Sequence, residues 1–438
     1  MPSYENTDGT SWSIELAGNQ LVIAADGKQT IRKFVTPAHA EKQLASLTEA
    51  KLAAGFALVE RVRSAPTEAD DELVAQLVDD PYDAATYAVH GDALTRRGDP
   101  RGELITLMAA AEAKPSKKAR AAVADFLEDH ADELLGGLVE HVADIRAYDE
   151  GALVWRHGYL HQIKLEHVLP RSLAEVLSHP SCRLLAELEL RGCTTETIEV
   201  LAERAPGSLR VLELHAQRDL EDLGAVWRRV PRLRRLRIHA RAFELGAIDL
   251  PLAERIEIVA RVLSGGCVRS VVAAAWPKLE RLKLRFGGFR AFQLETPRRP
   301  EDATFADLAP LLARTDLTAL THLRIVRGFT SASARVVGRA AFAPQLHCLE
   351  LSGGDLTDAD ANELAKHLAR FTALKELVIG ENELTTRGTA MLRSVSPHVI
   401  DAVDPVMLGD HLDRAEAGDD SDYDEDGDAD DHFDSIEE

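Results

Sequence analysis

At 438 residues the chain is too long for one ordinary hydrophobic core, and two to four domains are expected. Its 45% hydrophobic and 28% charged content is globular, its 5% aromatic content leaves leucine, valine and alanine to fill most of the core, and its formal charge is −22. No apolar run approaches the roughly 20 residues that cross a bilayer, and “MPSYENTDGT” has neither the basic nor the apolar region of a secretory signal, so a cytoplasmic protein with no membrane partner is expected.

The first segment, residues 1–62, opens with “WSIELAGNQLVI”. Apolar and polar residues alternate around Gly18-Asn19, the pattern of a β-hairpin. A helix follows, with Thr36 as its cap, Pro37 in its first turn and Gly55 at its stop. Trp12, Ile14, Leu16 and Gly18, then Phe34, Ala40, Leu47, Lys51 and the Gly55-Phe56 pair, resemble a WGR domain, the small module of poly(ADP-ribose) polymerases and many bacterial proteins. The Trp-Gly-Arg triplet belongs just after Ile23, but the sequence there is the shortened “AADGKQ”. The contacts that family members make through that region are therefore carried over to no residue here.

The second segment, residues 67–150, reads as helical. Thr67 caps “EADDELVAQLV”, Asp83 caps “AATYAVHGDALTRR”, and Gly98 ends that helix. Asp99 and Pro100 start the next, with Glu103 in its first turn, where negative charge suits the helix dipole. The run “ATYAVHGDALTRRGDPRGELI” resembles the helical companion domain that precedes repeats in many bacterial multidomain proteins. Capping chemistry accounts for Asp99, Arg101 and Glu103 as a joint between helices rather than a catalytic turn.

The third segment, residues 151–409, carries repeats. “LAELELRGC”, “LRVLELHAQ”, “LRRLRIHAR”, “LERLKLRFG”, “LTHLRIVRG”, “LHCLELSGG” and “LKELVIGEN” begin at Leu185, Leu209, Leu233, Leu279, Leu320, Leu346 and Leu374. Each fits L-x-x-L-x-L, and the last extends it to Asn382 and Leu384, with Cys193 in the Asn/Cys position of the first. The wide third gap hides a degenerate repeat near residue 256, “IEIVARV”, and the fourth holds the insertion “GGFRAFQLETPRRPEDATF”. The pattern resembles bacterial leucine-rich repeats of the ribonuclease-inhibitor-like subtype, with “TDADANELAKHLARF” as a helix between strands. The resemblance implies an α/β solenoid whose short parallel strands stack because none buries its leucines alone. “HQIKLEHV”, from His161, is expected to seal the N-terminal edge, and Asn382 to satisfy backbone groups where the chain turns.

In L-x-x-L-x-L the intervening residues of the strand point to the concave face. Arg235, Arg237 and His239, then Arg281, Lys283 and Arg285, then His322 and Arg324 would line one surface, with the acidic repeats of Glu187, Glu189, Glu213, Glu350 and Glu376 on either side. Like charges on strands about 4.8 Å apart repel, so this basic patch is a candidate binding site for an anion. Neutralisation by nearby acids is the competing reading.

The last segment, residues 410–438, reads as a disordered acidic tail: from Asp413 to Glu438 there are 14 acidic residues and one arginine. Asp422, Asp424, Asp426, Gly427 and Asp430 imitate an EF-hand loop, but Phe433 stands where the bidentate Glu belongs. The tail is itself a candidate intramolecular partner for the patch. The four cysteines, Cys182, Cys193, Cys267 and Cys348, form no CxxC pair and read as reduced structural thiols. His157 and His161 lie four apart, in a turn entering a strand rather than on a helix. No nucleophile, phosphate-loop or metalloprotease motif is present, so no catalytic residue, metal or cofactor is expected. The expected function is that of a non-enzymatic adaptor binding an acidic protein partner on the concave face. The alternative is a nucleic-acid-binding regulator using the same basic patch.

Overall fold

Alternation in “WSIELAGNQLVI” becomes an antiparallel pair, β2 (Ser11–Ala17) and β3 (Gln20–Ala25), in which Leu16 faces Leu21 and Ala17 faces Gln20. The computed structural model describes residues 3–5, 10–17, 20–25, 28–58, 68–139, 151–287 and 302–400. The Gly18-Asn19 turn, the Thr67 cap, most of the insertion after Phe286 and the acidic tail lie outside the described residues. The chain divides into two compact units: Met1–Val74 with Ala84–Phe126, and Ala75–Asp83 with Leu127–Glu438.

In the first unit β2 and β3 are joined by β1 (Ser3–Glu5), β4 (Lys28–Lys33) and β5 (Ala57–Leu58) in the order β4-β3-β2-β1-β5. Tyr4, Trp12, Ile14, Leu21 and Phe56 form its core, with Phe34, Leu44 and Leu47 packed against it. Helix α1 (Pro37–Ala53) starts as its sequence dictates: Pro37 occupies the first turn and the Thr36 hydroxyl accepts a hydrogen bond from the His39 amide at 3.3 Å. The Lys51 ammonium lies 4.2 Å from the centre of the Phe56 ring and 5.5 Å from that of Trp12, tying the helix end to the core by cation–π attraction.

Helices α2 (Glu68–Asp79), α3 (Ala84–Arg96), α4 (Pro100–Ala113), α5 (Lys117–Asp129) and α6 (Ala131–Leu135) follow. Gly98 takes a left-handed φ of 73° and lets the Asp99 amide reach back to the Leu94 carbonyl, which closes α3. Asp99 then caps α4 by accepting from the Arg101 amide at 3.0 Å. A Cβ on Gly102 would lie 2.5 Å from the Gly91 carbonyl oxygen and 2.5 Å from the Thr95 amide. The glycine therefore sits where α3 and α4 meet backbone to backbone, so the “GDPRGE” run builds a helix-to-helix joint.

The second unit holds an eleven-stranded sheet ordered β16-β15-β14-β13-β12-β11-β10-β9-β8-β7-β6. These strands are β6 (Leu153–Arg156), β7 (Tyr159–Glu166), β8 (Glu187–Arg191), β9 (Val211–His215), β10 (Arg235–Ala240) and β11 (Arg255–Ala260). They continue with β12 (Arg281–Phe286), β13 (His322–Val326), β14 (Cys348–Ser352), β15 (Glu376–Val378) and β16 (Val399–Ile400). All neighbours are parallel except β6 and β7, which form a hairpin. The edge is thus β6, one strand beyond the stretch from His161. “IEIVARV” forms β11, a complete strand between β10 and β12.

Helices α7 (Pro170–Ser178), α8 (Thr195–Arg204), α9 (Gly224–Trp227), α10 (Gly265–Ala273), α11 (Phe305–Leu312), α12 (Thr330–Val337), α13 (Asp358–Ala365) and α14 (Thr386–Val395) fall between strands. One face of the strands is apolar and buried: Leu188 and Leu190, Leu212 and Leu214, Leu236 and Ile238, Ile256 and Ile258, Leu282 and Leu284, Leu323 and Ile325, Leu349 and Leu351. Each such side chain is worth about 1.5–3 kcal/mol of burial, so the sheet is held mainly from this side. The described residues thus form a mixed α/β chain dominated by one large, mostly parallel sheet.

One position past the end of β7, β8, β13 and β14 stands a residue with left-handed φ. His167 (φ 49°), Gly192 (71°), Arg327 (61°) and Gly353 (67°) occupy that place, while β10, β11 and β12 run one residue further. Asn382 acts as predicted. Its Nδ2 donates to the Leu351 carbonyl at 2.6 Å and the Ile379 carbonyl at 2.7 Å, and its Oδ1 accepts from the Gly354 and Leu356 amides. Cys193 in the matching position donates its thiol to the Leu190 carbonyl at 3.2 Å.

Candidate functional site

Parallel register turns the polar strand positions into three rows on the opposite face. The first row runs Glu187, Val211, Arg235, Arg255, Arg281, His322, Cys348, Glu376. The second runs Glu189, Glu213, Arg237, Glu257, Lys283, Arg324, Glu350. The third runs Arg191, His215, His239, Val259, Arg285, Val326, Ser352. All eight residues singled out from the sequence stand on this face, on β10, β12 and β13. The strand between, β11, adds Arg255 and Glu257, which change the patch in opposite directions.

In the middle row the cations meet carboxylates. Glu257 lies 3.0 Å from Arg237 Nε, 2.9 Å from Lys283 Nζ and 3.5 Å from His239 Nε2. Burial raises the pKa of the Glu257 carboxyl, but Lys283, His239 and Arg237 outweigh burial and hold it well below the usual range. Arg237 also reaches Glu213 at 3.4 Å, and Arg324 Nε lies 3.6 Å from Glu350. The Glu350 carboxylate in turn accepts from the Ser352 hydroxyl at 2.6 Å. Neutralisation, the competing expectation, therefore operates in this row, and its main agent is the degenerate repeat.

In the first row cations stand side by side. Arg235, Arg255 and Arg281 stand directly beside one another on three adjacent strands, each half-buried, with His322 next in line. The pKa of His322 is lowered to about 4, first by burial and then by the positive field of Arg281 and Arg324. In the third row Arg285 has a buried Nε with no hydrogen-bond partner among the described residues. The His215 and His239 rings meet edge to face at 4.8 Å. Burial raises the pKa of Glu187 at the acidic end of the first row.

Arg255 and Glu257 were missed as site residues because the repeat around them lacks the leading leucine pair. Their signal was there: “RIEIVA” keeps the strand alternation. His157 and His161 lie in the β6–β7 hairpin, where His157 takes a left-handed φ of 47° in the turn. The His161 ring packs on Tyr82 at 5.2 Å, and burial, then Arg156, lowers its pKa to about 4. All four cysteines are free and buried. Burial pushes the pKa of Cys193 up to about 11 and that of Cys348 up to about 12, which leaves these thiols protonated and poor nucleophiles at neutral pH. No helix among the described residues is long and apolar enough to cross a membrane.

No protein-family model matches the chain, and no curated protein matches it. It is similar to a Bacteroides fragilis protein of known crystal structure at 17% identity and a TM-score of 0.40, with 92% of this chain and 96% of that one covered.

Proposed function

We propose that this chain is a non-enzymatic interaction protein that binds a protein partner with an acidic surface on the polar face of its parallel sheet. In this reading the sheet and its helices are a leucine-rich-repeat solenoid, the polar face is its concave side, and the residues before it are a degenerate WGR-like module and a helical companion domain. The observation that carries the reading is the in-register row Arg235, Arg255, Arg281. Arginines in register on strands about 4.8 Å apart repel each other, and a carboxylate-bearing partner relieves that repulsion with bidentate hydrogen bonds. The carboxylates of the next row, Glu213 and Glu257, favour a partner with discrete acidic side chains over a continuous phosphodiester backbone.

The test is a fluorescence-polarisation titration of full-length protein against a labelled oligoglutamate peptide and against random-sequence single- and double-stranded DNA. The comparison protein carries Arg235→Glu, Arg255→Glu and Arg281→Glu. Peptide binding that the triple variant weakens at least about tenfold is expected, since each lost charge-assisted contact is worth roughly 1.5 kcal/mol or more. DNA binding stronger than peptide binding, with a steep fall between low and moderate salt, transfers the reading to the nucleic-acid alternative. No binding of either probe removes the row as an anion site.

A further inference from the structure

We propose that Glu189, Glu213 and His215, brought together on β8 and β9 with their ligand atoms within 4.8 Å of one another, form a binding site for a divalent transition-metal ion. The site is separate from the arginine row and does not depend on the proposed function above.

Three observations converge on it. The first is geometric. His215 Nε2 lies 3.9 Å from Glu189 Oε1 and 3.9 Å from Glu213 Oε2. That is too long for a hydrogen bond. Two donors bound at about 2.0–2.2 Å to a tetrahedral ion lie roughly 3.3–3.5 Å apart, so His215 Nε2 stands about half an ångström beyond that spacing from each carboxylate, and all three ligand atoms lie within 4.8 Å of one another. The second is an unmet need. Among the described residues His215 Nε2 is buried with no partner within hydrogen-bond distance, and the groups nearest to it are the two carboxylates at 3.9 Å. A buried polar atom left in this state is costly, and a metal ion satisfies it as a neutral ligand. The third concerns the surrounding cations. Arg191 Nε holds Glu189 at 2.7 Å, but Arg191 also reaches Glu166 at 3.3 Å. Arg237 lies 3.4 Å from Glu213 but closer to Glu257, at 3.0 Å. Both guanidiniums therefore keep a carboxylate when Glu189 and Glu213 turn to an ion.

One imidazole and two carboxylates suit Zn²⁺, Co²⁺ or Mn²⁺ better than Ca²⁺, which takes oxygen donors in greater number. Three protein ligands also leave a coordination position for water or for a donor from a partner. Sequence reading placed these residues on the polar face but could not join them, because Glu189 and His215 are 26 positions apart and only the β8–β9 register brings them together.

Metal-stripped full-length protein is titrated with Zn²⁺ by calorimetry and with Co²⁺ by visible absorption. One equivalent bound at about micromolar affinity or tighter is expected, with Co²⁺ bands that report nitrogen ligation. His215→Gln and the double variant Glu189→Gln with Glu213→Gln are each expected to weaken binding by about tenfold or more. His347→Gln, outside the cluster, leaves it unchanged. Circular dichroism checks folding, and the near-isosteric glutamine pair decides the matter if His215→Gln does not fold. The absence of a stoichiometric site overturns the proposal. Binding that survives both sets of changes also overturns it, because the ion is then held elsewhere, for example by the acidic residues after Asp413.

Discussion

Asn382 reaches five backbone groups from two successive turns and also meets the Thr330 hydroxyl at 3.1 Å. Asn382→Ala leaves these carbonyls and amides without partners, and a loss of about 2–4 kcal/mol is expected in urea denaturation. The position was legible because an asparagine a few places past a strand, in the Asn/Cys position of the repeat, serves to cap the groups of a turn. Glu257 was not legible, since its importance comes from neighbours 20 and 26 residues away in sequence. His161 supplies a prediction in pH. Its folded pKa, about 4, is below the unfolded value near 6.5. The unfolded chain therefore takes up a proton between these values while the folded chain does not, and stability falls as pH drops through that window. Between pH 7 and pH 5 this one group removes about 2 kcal/mol. His161→Phe keeps the ring against Tyr82 and removes the titration. Its stability loss between the two pH values, read from urea midpoints, is expected to be smaller than that of the unsubstituted protein by about this amount.

At the scale of elements, legibility followed periodicity. Strands β8, β9, β10, β12, β13, β14 and β15 lie within their L-x-x-L-x-L runs, because two leucines spaced by one residue must share a face. β1 and β5, with three residues and two, are too short to show an alternation, and β4 follows a stretch read as a truncated motif. The α3–α4 joint was legible through its caps, but the reason for its second glycine was not. Gly102 has no left-handed φ, so what it provides is closeness. Gly102→Ala forces the α4 backbone away from Gly91 and Thr95, and a cost of about 1–3 kcal/mol is expected. Thermal melting of the variant checks it. An unchanged melting temperature would mean that the two helices separate freely.

At the scale of the whole molecule, two units with separate cores predict separable responses to damage. In the second unit Leu284 is fully buried between Ile258 and Ile325, its register partners on β11 and β13. Its truncation removes buried apolar volume between two strands fixed by the sheet's hydrogen bonds. Leu284→Ala is expected to cost about 2–5 kcal/mol. Gly102 belongs to the first unit, whose β-sheet core of Tyr4, Trp12, Ile14, Leu21 and Phe56 contains no residue of the large sheet. In differential scanning calorimetry each substitution is expected to lower one transition and leave the other in place. For the larger unit the shift should be about 2–4 °C per kcal/mol, because its unfolding entropy is greater. The chain passes between the units at Val74 and Ala75 within α2, at Asp83 and Ala84, and at Phe126 and Leu127 within α5. One transition shifted by both substitutions would show that the two units melt as a single cooperative system.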